Sequence, residues 1–289
     1  MKDFIRIIFT KLYTKVFGPD SKKLNRENLE IKSNQNNALN DLLKIPRFKG
    51  GKLNYDGFNI EYIDAASLHS GIDLLFQKGY NDFNPDNENP FIIDCGSNIG
   101  ISILNYKKKY PKSRIIGFEP DPDIFQILQR NIENNNVKGV EIIQAAVWTK
   151  NDKLTFFKEG CDGGRIIPDN IGEQSITVEA KDILGYINEP VDLIKIDIES
   201  AEYIVVPHLL EKSNLLKNII IEFHYLRNKT SLLSLSEILS VLAEKDFDVT
   251  FNSFGPWRDL IHEPAKLDIE FDQYFLIAAK KISANDISF

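Results

Sequence analysis

The chain has 289 residues, 43% hydrophobic and 27% charged, with 42 acidic against 35 basic side chains and a formal net charge of -7. That length holds one large domain, or one domain with a sizeable N-terminal extension, and the negative balance argues against non-specific binding to nucleic acid, because a polyanion would be repelled. Two cysteines, Cys95 and Cys161, exclude a disulfide framework and point to a reducing, cytoplasmic compartment; no apolar run approaches the roughly 20 residues of a membrane-spanning helix.

Residues 1–17, MKDFIRIIFTKLYTKVF, are broken by Arg6 and lack a small-residue cleavage site, so they do not read as a signal peptide. At about 100° per residue Phe4, Ile5, Ile8, Phe9, Leu12 and Val16 share one helical face, with Lys2, Arg6, Lys11 and Lys15 along its borders. Such a helix suits an anionic membrane surface, although a terminal helix packed on its own protein is the preferred reading. Residues 18–40 are rich in Lys, Asn and Ser and read as a connector. Tyr55-Asp56-Gly57-Phe58 predicts a hairpin turn, and Ile72, Leu74, Leu75 and Phe76 a helix ending near Gly79. Residues 84–90, with two prolines and several Asn and Asp, mark a boundary. The chain thus divides into an N-terminal extension over 1–87 (amphipathic helix, linker, small α+β cap) and a main domain over 88–289.

The main domain opens on FIIDCGSNIG, residues 91–100. Phe91, Ile92 and Ile93 form an apolar run with no polar alternation, as in a strand buried on both faces of a parallel sheet. An acid and a glycine turn follow, and from Ile99 the apolar residues recur at helical spacing. Strand and helix then alternate: a helix over 101–110 stopped by Pro111, a strand over 114–118, a helix over 122–135, a third strand over 141–147, a fourth over 191–196, a helix over 201–211, a fifth strand over 218–223, and a helix over 231–245. Apolar runs at 247–251 and 274–279 make a final pair of strands. Leu154–Phe157 and Ile176–Val178 flank a glycine-bearing loop, residues 160–165, that interrupts the alternation and is a candidate substrate lid. Repeated strand–helix units predict an α/β fold with a doubly wound, mostly parallel, seven-stranded sheet.

In such a sheet ligands bind beyond the carboxyl ends of the strands, where the sequence places Asp94, Glu119, Asp197 with Glu199, and Glu222 with His224. Glu119 lies 25 positions after Asp94, near the offset at which an acid accepts hydrogen bonds from ribose hydroxyls. The turn from Gly96 to Gly100 lacks the middle glycine that admits a pyrophosphate, so S-adenosylmethionine fits better than NAD. His224 is the preferred general base, having an ordinary pKa near neutrality, with Asp197 orienting the acceptor or sharing the proton. Alternatively Asp197, Glu222 and His224 hold a divalent metal, Mg or Mn, that lowers the hydroxyl pKa. Lys195, inside an apolar strand, needs a carboxylate partner. Glu199 and Glu202 read as first-turn acids favoured by the helix dipole. Trp148, Trp257 and Tyr225 are candidates for stacking on a sugar ring.

FIIDCGSNIG, IIGFEPDP, VDLIKIDIESAEY and IIIEFH, preceded by FQKGYNDF, together resemble the FkbM-type family of S-adenosylmethionine-dependent methyltransferases over roughly residues 72–225. The resemblance implies a Rossmann-like methyltransferase sheet and O-methylation of a sugar, glycan precursor or secondary metabolite. It implies a methionine-side cradle of Asp94, Gly96, Ser97, Asn98 and Gly100, a ribose ligand at Glu119 followed by Pro120, and adenine lined by the backbone at Ala145 and Ala146. For catalysis it leaves the strand-end group His224, Asp197 and Glu222. Ser97 and Ser200 stand where the family commonly has alanine and glycine, and Ser200 therefore requires a turn that accepts a Cβ.

Overall fold

The computed structural model describes residues 35–160, 163–166, 175–225, 229–253 and 273–282. Residues 1–17 and Trp257 lie outside them, as does part of the 160–165 loop. Residues 35–42 are helical and bury Leu39 and Leu42. A hairpin follows, β1 (Gly51–Tyr55) and β2 (Phe58–Tyr62), antiparallel around Asp56 and Gly57. Both turn residues have positive φ, +54° and +88°, the condition for a tight two-residue turn that matches strand twist. Asp64 then caps α1 (Ala65–Ile72), accepting from the Ser67 N–H at 2.9 Å and from the Phe48 N–H at 2.6 Å. A single π-helical turn, Asp73–Gln77, ends this segment before Gly79.

The main sheet starts with β3 (Phe91–Cys95), buried along its whole length, followed by α2 (Ile101–Lys109), β4 (Arg114–Phe118), α3 (Pro122–Asn134) and β5 (Val140–Ile143). In α3, Asp121 accepts from the Asp123 N–H and Pro122 sits where its missing N–H costs nothing. The third strand is shorter than the expected 141–147. The chain turns at Ala145, whose N–H bonds back to Ile143 O at 3.0 Å. It then starts β6 (Ala146–Trp148) in a second sheet. With β7 (Asp152–Phe157), β8 (Arg165–Ile166) and β9 (Ser175–Asp182) this forms a four-stranded sheet of order β6-β9-β7-β8. The two segments flanking the glycine loop are therefore paired antiparallel, Leu154 opposite Val178.

The main sheet resumes with β10 (Leu193–Ile196), α4 (Glu202–Leu209), β11 (Asn218–Tyr225), α5 (Lys229–Glu244), β12 (Phe247–Ser253) and β13 (Gln273–Lys281). Its order is β12-β13-β11-β10-β3-β4-β5, with β13 antiparallel to both neighbours and the other pairings parallel. The expected seven-stranded, mostly parallel sheet is what forms. Strand order reverses between β3 and β10, and the crevice at their carboxyl ends is where such a sheet binds ligands.

The hairpin is held to the main sheet through α3. Asn131 and Asn135, one helical turn apart, act as a substitute strand edge for β2. Asn131 Oδ1 accepts from the Glu61 N–H (2.8 Å) and its Nδ2 donates to Glu61 O (2.9 Å) and Ile99 O (2.8 Å). Asn135 does the same for Asn59, accepting at 2.8 Å and donating at 2.9 Å. Ile60, Leu68 and Ile72 share one apolar cluster with Leu104, Ile124 and Ile127 from α2 and α3.

Candidate active site

The turn after β3 is built by hydrogen bonds that leave no room for a side chain at Gly96. Gly96 has φ +81°, and a Cβ there would lie 1.8 Å from the carbonyl oxygen of Asp197. The Gly96 and Ser97 N–H groups both donate to Phe118 O, at 3.1 and 2.8 Å, locking the turn to the end of β4. Asn98 and Gly100 complete it at φ +47° and +93°. Asp94 is fully buried, accepting from Ser102 Oγ at 2.6 Å. Lys195 has the carboxylate partners its burial demands: its Nζ is 3.1 Å from Asp197 and 3.4 Å from Asp94, and it donates to Gly96 O at 2.8 Å. Ser97 is buried with its hydroxyl donating to Asp94 O at 3.1 Å, so the structure gives it a place in the turn itself.

Glu119, after β4, ties the two strand ends together. Its carboxylate accepts from the Asn98 N–H at 3.0 Å and the Asp121 N–H at 2.8 Å. Burial pushes this carboxyl up to about 8, against the opposing pull of those two N–H groups. Pro120 is partly buried beside it, and Ala145 and Ala146 are buried, so a ligand reaching the end of β5 would meet mainly backbone.

The second half of the site is made by the turn after β10. Glu199 and Ser200 take φ +51° and +74°, two successive left-handed residues without glycine, a conformation that costs about 1–2 kcal/mol per residue. Ser200, where the family commonly has glycine, does sit in the conformation that glycine favours. Glu202 holds the turn: fully buried, its Oε1 accepts from the Ile198 N–H at 3.0 Å and lies 3.0 Å from His224 Nδ1. The other ring nitrogen, Nε2, is 3.3 Å from Glu199 Oε2 and 4.0 Å from Asp197 Oδ1. Asp197, Glu199 and His224 each offer one ligand atom within 4.8 Å of the others.

Two of the expected site residues stand in surroundings that the sequence did not show. His224 is only 1% exposed, and although burial disfavours its charge, Glu202 and Glu199 hold its pKa well above the ordinary value. Nδ1 faces Glu202 and Nε2 faces Glu199, so both ring nitrogens are turned to carboxylates and not to open solvent, unlike an ordinary histidine. Glu222, partly buried and pushed up to about 8 by burial and by Asp197, does not belong to the compact group of potential ligands; Glu199 takes that place. Sequence reasoning read Glu199 and Glu202 only as helix-dipole acids. Their spacing from Asp197, at two and five positions, was the available signal.

A mostly parallel seven-stranded sheet with its antiparallel strand set between β11 and β12, a glycine turn after β3 and an acid after β4, is the frame of a methyltransferase of the Rossmann-like type. The chain belongs to the FkbM methyltransferase family: the model described as "Methyltransferase FkbM domain" matches residues 94–262. It is similar to Methyltransferase 1 of Beauveria bassiana (strain ARSEF 2860), with 29% identity over 196 residues that make up 58% of this chain and 78% of that protein. It is also similar to Methyltransferase sdnD of Sordaria araneosa, at 27% identity over 56% of this chain and 75% of that one. The crystal structure of M. jannaschii TYW2 in complex with AdoMet aligns over 82% of this chain and 89% of its own, with 11% identity and a TM-score of 0.45, a distant likeness on which no point of chemistry rests.

Proposed function

We propose that this methyltransferase transfers the methyl group of S-adenosylmethionine to a hydroxyl of a sugar or glycan precursor, such as a unit of a surface polysaccharide. Asp94, Gly96, Asn98 and Gly100 cradle the methionine end, Glu119 accepts from the ribose hydroxyls, and the backbone at Ala145 and Ala146 lies along the adenine. The observation that carries the reading is the contact of Gly96 with Asp197, which sets the cofactor turn directly against the acid group at the ends of β10 and β11. A methyl donor held by the first then faces a hydroxyl held by the second. Carboxylates accept hydrogen bonds from hydroxyls, so a polyhydroxyl acceptor suits this group better than a polyketide, which calls for apolar lining.

S-adenosylmethionine supplies the methyl: the C–O bond forms as the C–S bond breaks, sulfur keeps the electron pair, and the hydroxyl proton passes to Asp197 or Glu222. Both are only partly buried. Alignment of the two reactants in a water-poor cleft supplies most of the acceleration. Calorimetry with S-adenosylmethionine and S-adenosylhomocysteine tests the cofactor, and no binding to either would overturn the reading. Transfer of a labelled methyl group into an extracted glycan fraction, and not into small apolar metabolites, tests the acceptor. Among the described residues no helix is long and apolar enough to cross a membrane. Deleting residues 1–17 and measuring attachment to anionic vesicles tests a peripheral role for that segment in a cytoplasmic protein.

A further inference from the structure

Charge sets the problem at the ends of β3, β10 and β11. Five carboxylates, Asp94, Asp197, Glu199, Glu202 and Glu222, face two basic groups, Lys195 and His224. S-adenosylmethionine adds a sulfonium and an ammonium but also a carboxylate of its own, so its arrival leaves acid in excess. Carboxylates this close in a poorly solvated cleft repel strongly, and either a proton or a cation standing among them relieves the repulsion.

Geometry picks the place for that cation. With metal–ligand distances of about 2.1 Å, adjacent donors around an octahedral ion lie about 3 Å apart and opposite donors about 4.2 Å apart. His224 Nε2 is 3.3 Å from Glu199 Oε2 and 4.0 Å from Asp197 Oδ1, inside that range. Glu202 Oε1 takes the Nδ1–H at 3.0 Å and so turns Nε2 toward the two acids, which is how a carboxylate orients a metal-binding histidine. The other oxygen of Glu202 is fully buried and has no hydrogen-bond partner among the described residues. Side-chain exposure is 1% for His224 against 27% for Asp197 and 22% for Glu199, so any coordination positions not filled by protein open on the side of the acids.

We infer that Asp197, Glu199 and His224 hold a divalent cation, Mn²⁺ or Mg²⁺, that binds the acceptor through its hydroxyl oxygens, with Glu202 as the positioning residue. The inference rests on the methyltransferase reading above and adds to it a reason for the acceptor class: two adjacent hydroxyls of a sugar can chelate such an ion. The bound hydroxyl ionises more readily, and with Asp197 occupied as a ligand its proton passes to the Glu222 carboxylate before the oxygen takes the methyl group.

The test uses the full chain, stripped with chelator and titrated with MnCl₂ alone. Free Mn²⁺ is followed by electron paramagnetic resonance, and S-adenosylhomocysteine binding is followed separately by calorimetry. One Mn²⁺ per chain is expected. E199Q and H224A should abolish its binding, and E202Q should weaken it 10–100-fold, while each variant binds S-adenosylhomocysteine within about threefold of wild type. That retained binding also shows that the variants are folded; if H224A does not fold, E199Q alone decides. A wild-type chain that binds S-adenosylhomocysteine but no Mn²⁺, or Mn²⁺ binding untouched by E199Q, would overturn the cation site. Mn²⁺ binding that depends on Glu199 in a chain that binds no S-adenosylhomocysteine would support the site and overturn the reading it was built on.

Discussion

Replacing Gly96 by alanine would place a methyl carbon 1.8 Å from the Asp197 carbonyl oxygen. Carbon and oxygen settle at roughly 3.2–3.5 Å, so one of the two backbones must retreat by roughly 1.5 Å. Neither can do so freely. The Asp197 N–H donates to Cys95 O at 3.1 Å, and Gly96 O is held by Lys195 Nζ at 2.8 Å. To this clash is added the cost of φ +81° for a residue with a Cβ, about 1–2 kcal/mol. With an overpacking cost of about 1–3 kcal/mol, G96A should lose about 2–5 kcal/mol, a fall of roughly 3–8 °C in Tm for a chain of this size. Gly57 is the internal control. Its φ is +88°, but nothing lies within 4 Å of an added Cβ, so G57A should lose only the conformational part, about 1–2 kcal/mol. Urea unfolding gives the two energies, and calorimetry with S-adenosylhomocysteine should show at least a 100-fold loss of affinity for G96A and none for G57A. A G96A protein that is no less stable than G57A and binds the ligand like wild type would refute the placement of the turn against Asp197.

N131A leaves the Glu61 N–H, Glu61 O and Ile99 O without their side-chain partners in a buried setting, and should cost about 2–4 kcal/mol in urea unfolding, with faster hydrogen exchange at Glu61. Y106F should be neutral or stabilising by up to about 1 kcal/mol, because the Tyr106 hydroxyl is buried with no hydrogen-bond partner among the described residues; a loss of more than about 1 kcal/mol would show that it has one. Glu119 makes stability pH-dependent. Its folded pKa, about 8, lies above the ordinary 4.5, so the folded state binds the extra proton; the stabilisation is complete below about pH 4.5 and is lost as pH rises toward 8. The stability of wild type relative to E119Q should therefore fall across that window, and a constant difference from pH 5 to 8 would contradict the burial of this acid.

The order of strands and helices could be read from the sequence because it rests on local physics. A run such as FIID between a polar boundary and a glycine turn has few structures open to it, and the apolar spacing of residues 122–135 is helical in any context. The cofactor half of the site was legible for the same reason: Asp94, Gly96, Asn98 and Gly100 lie within seven residues, and Glu119 follows at the distance of one strand–helix–strand unit. The break at Ala145 was not legible. Ala146–Trp148 is as apolar as the strand before it, and only pairing with β9, more than 30 residues on, takes it into another sheet. The acceptor half was least legible of all. His224 is 22 residues from Glu202, and their meeting depends on the parallel register of β10 with β11 and on two left-handed residues at Glu199 and Ser200. What the sequence determined by itself was the succession of elements and the glycine turn, because backbone preference and apolar period act between near neighbours. What only the tertiary structure decided was the company His224 keeps, because protonation and ligation depend on distances through space.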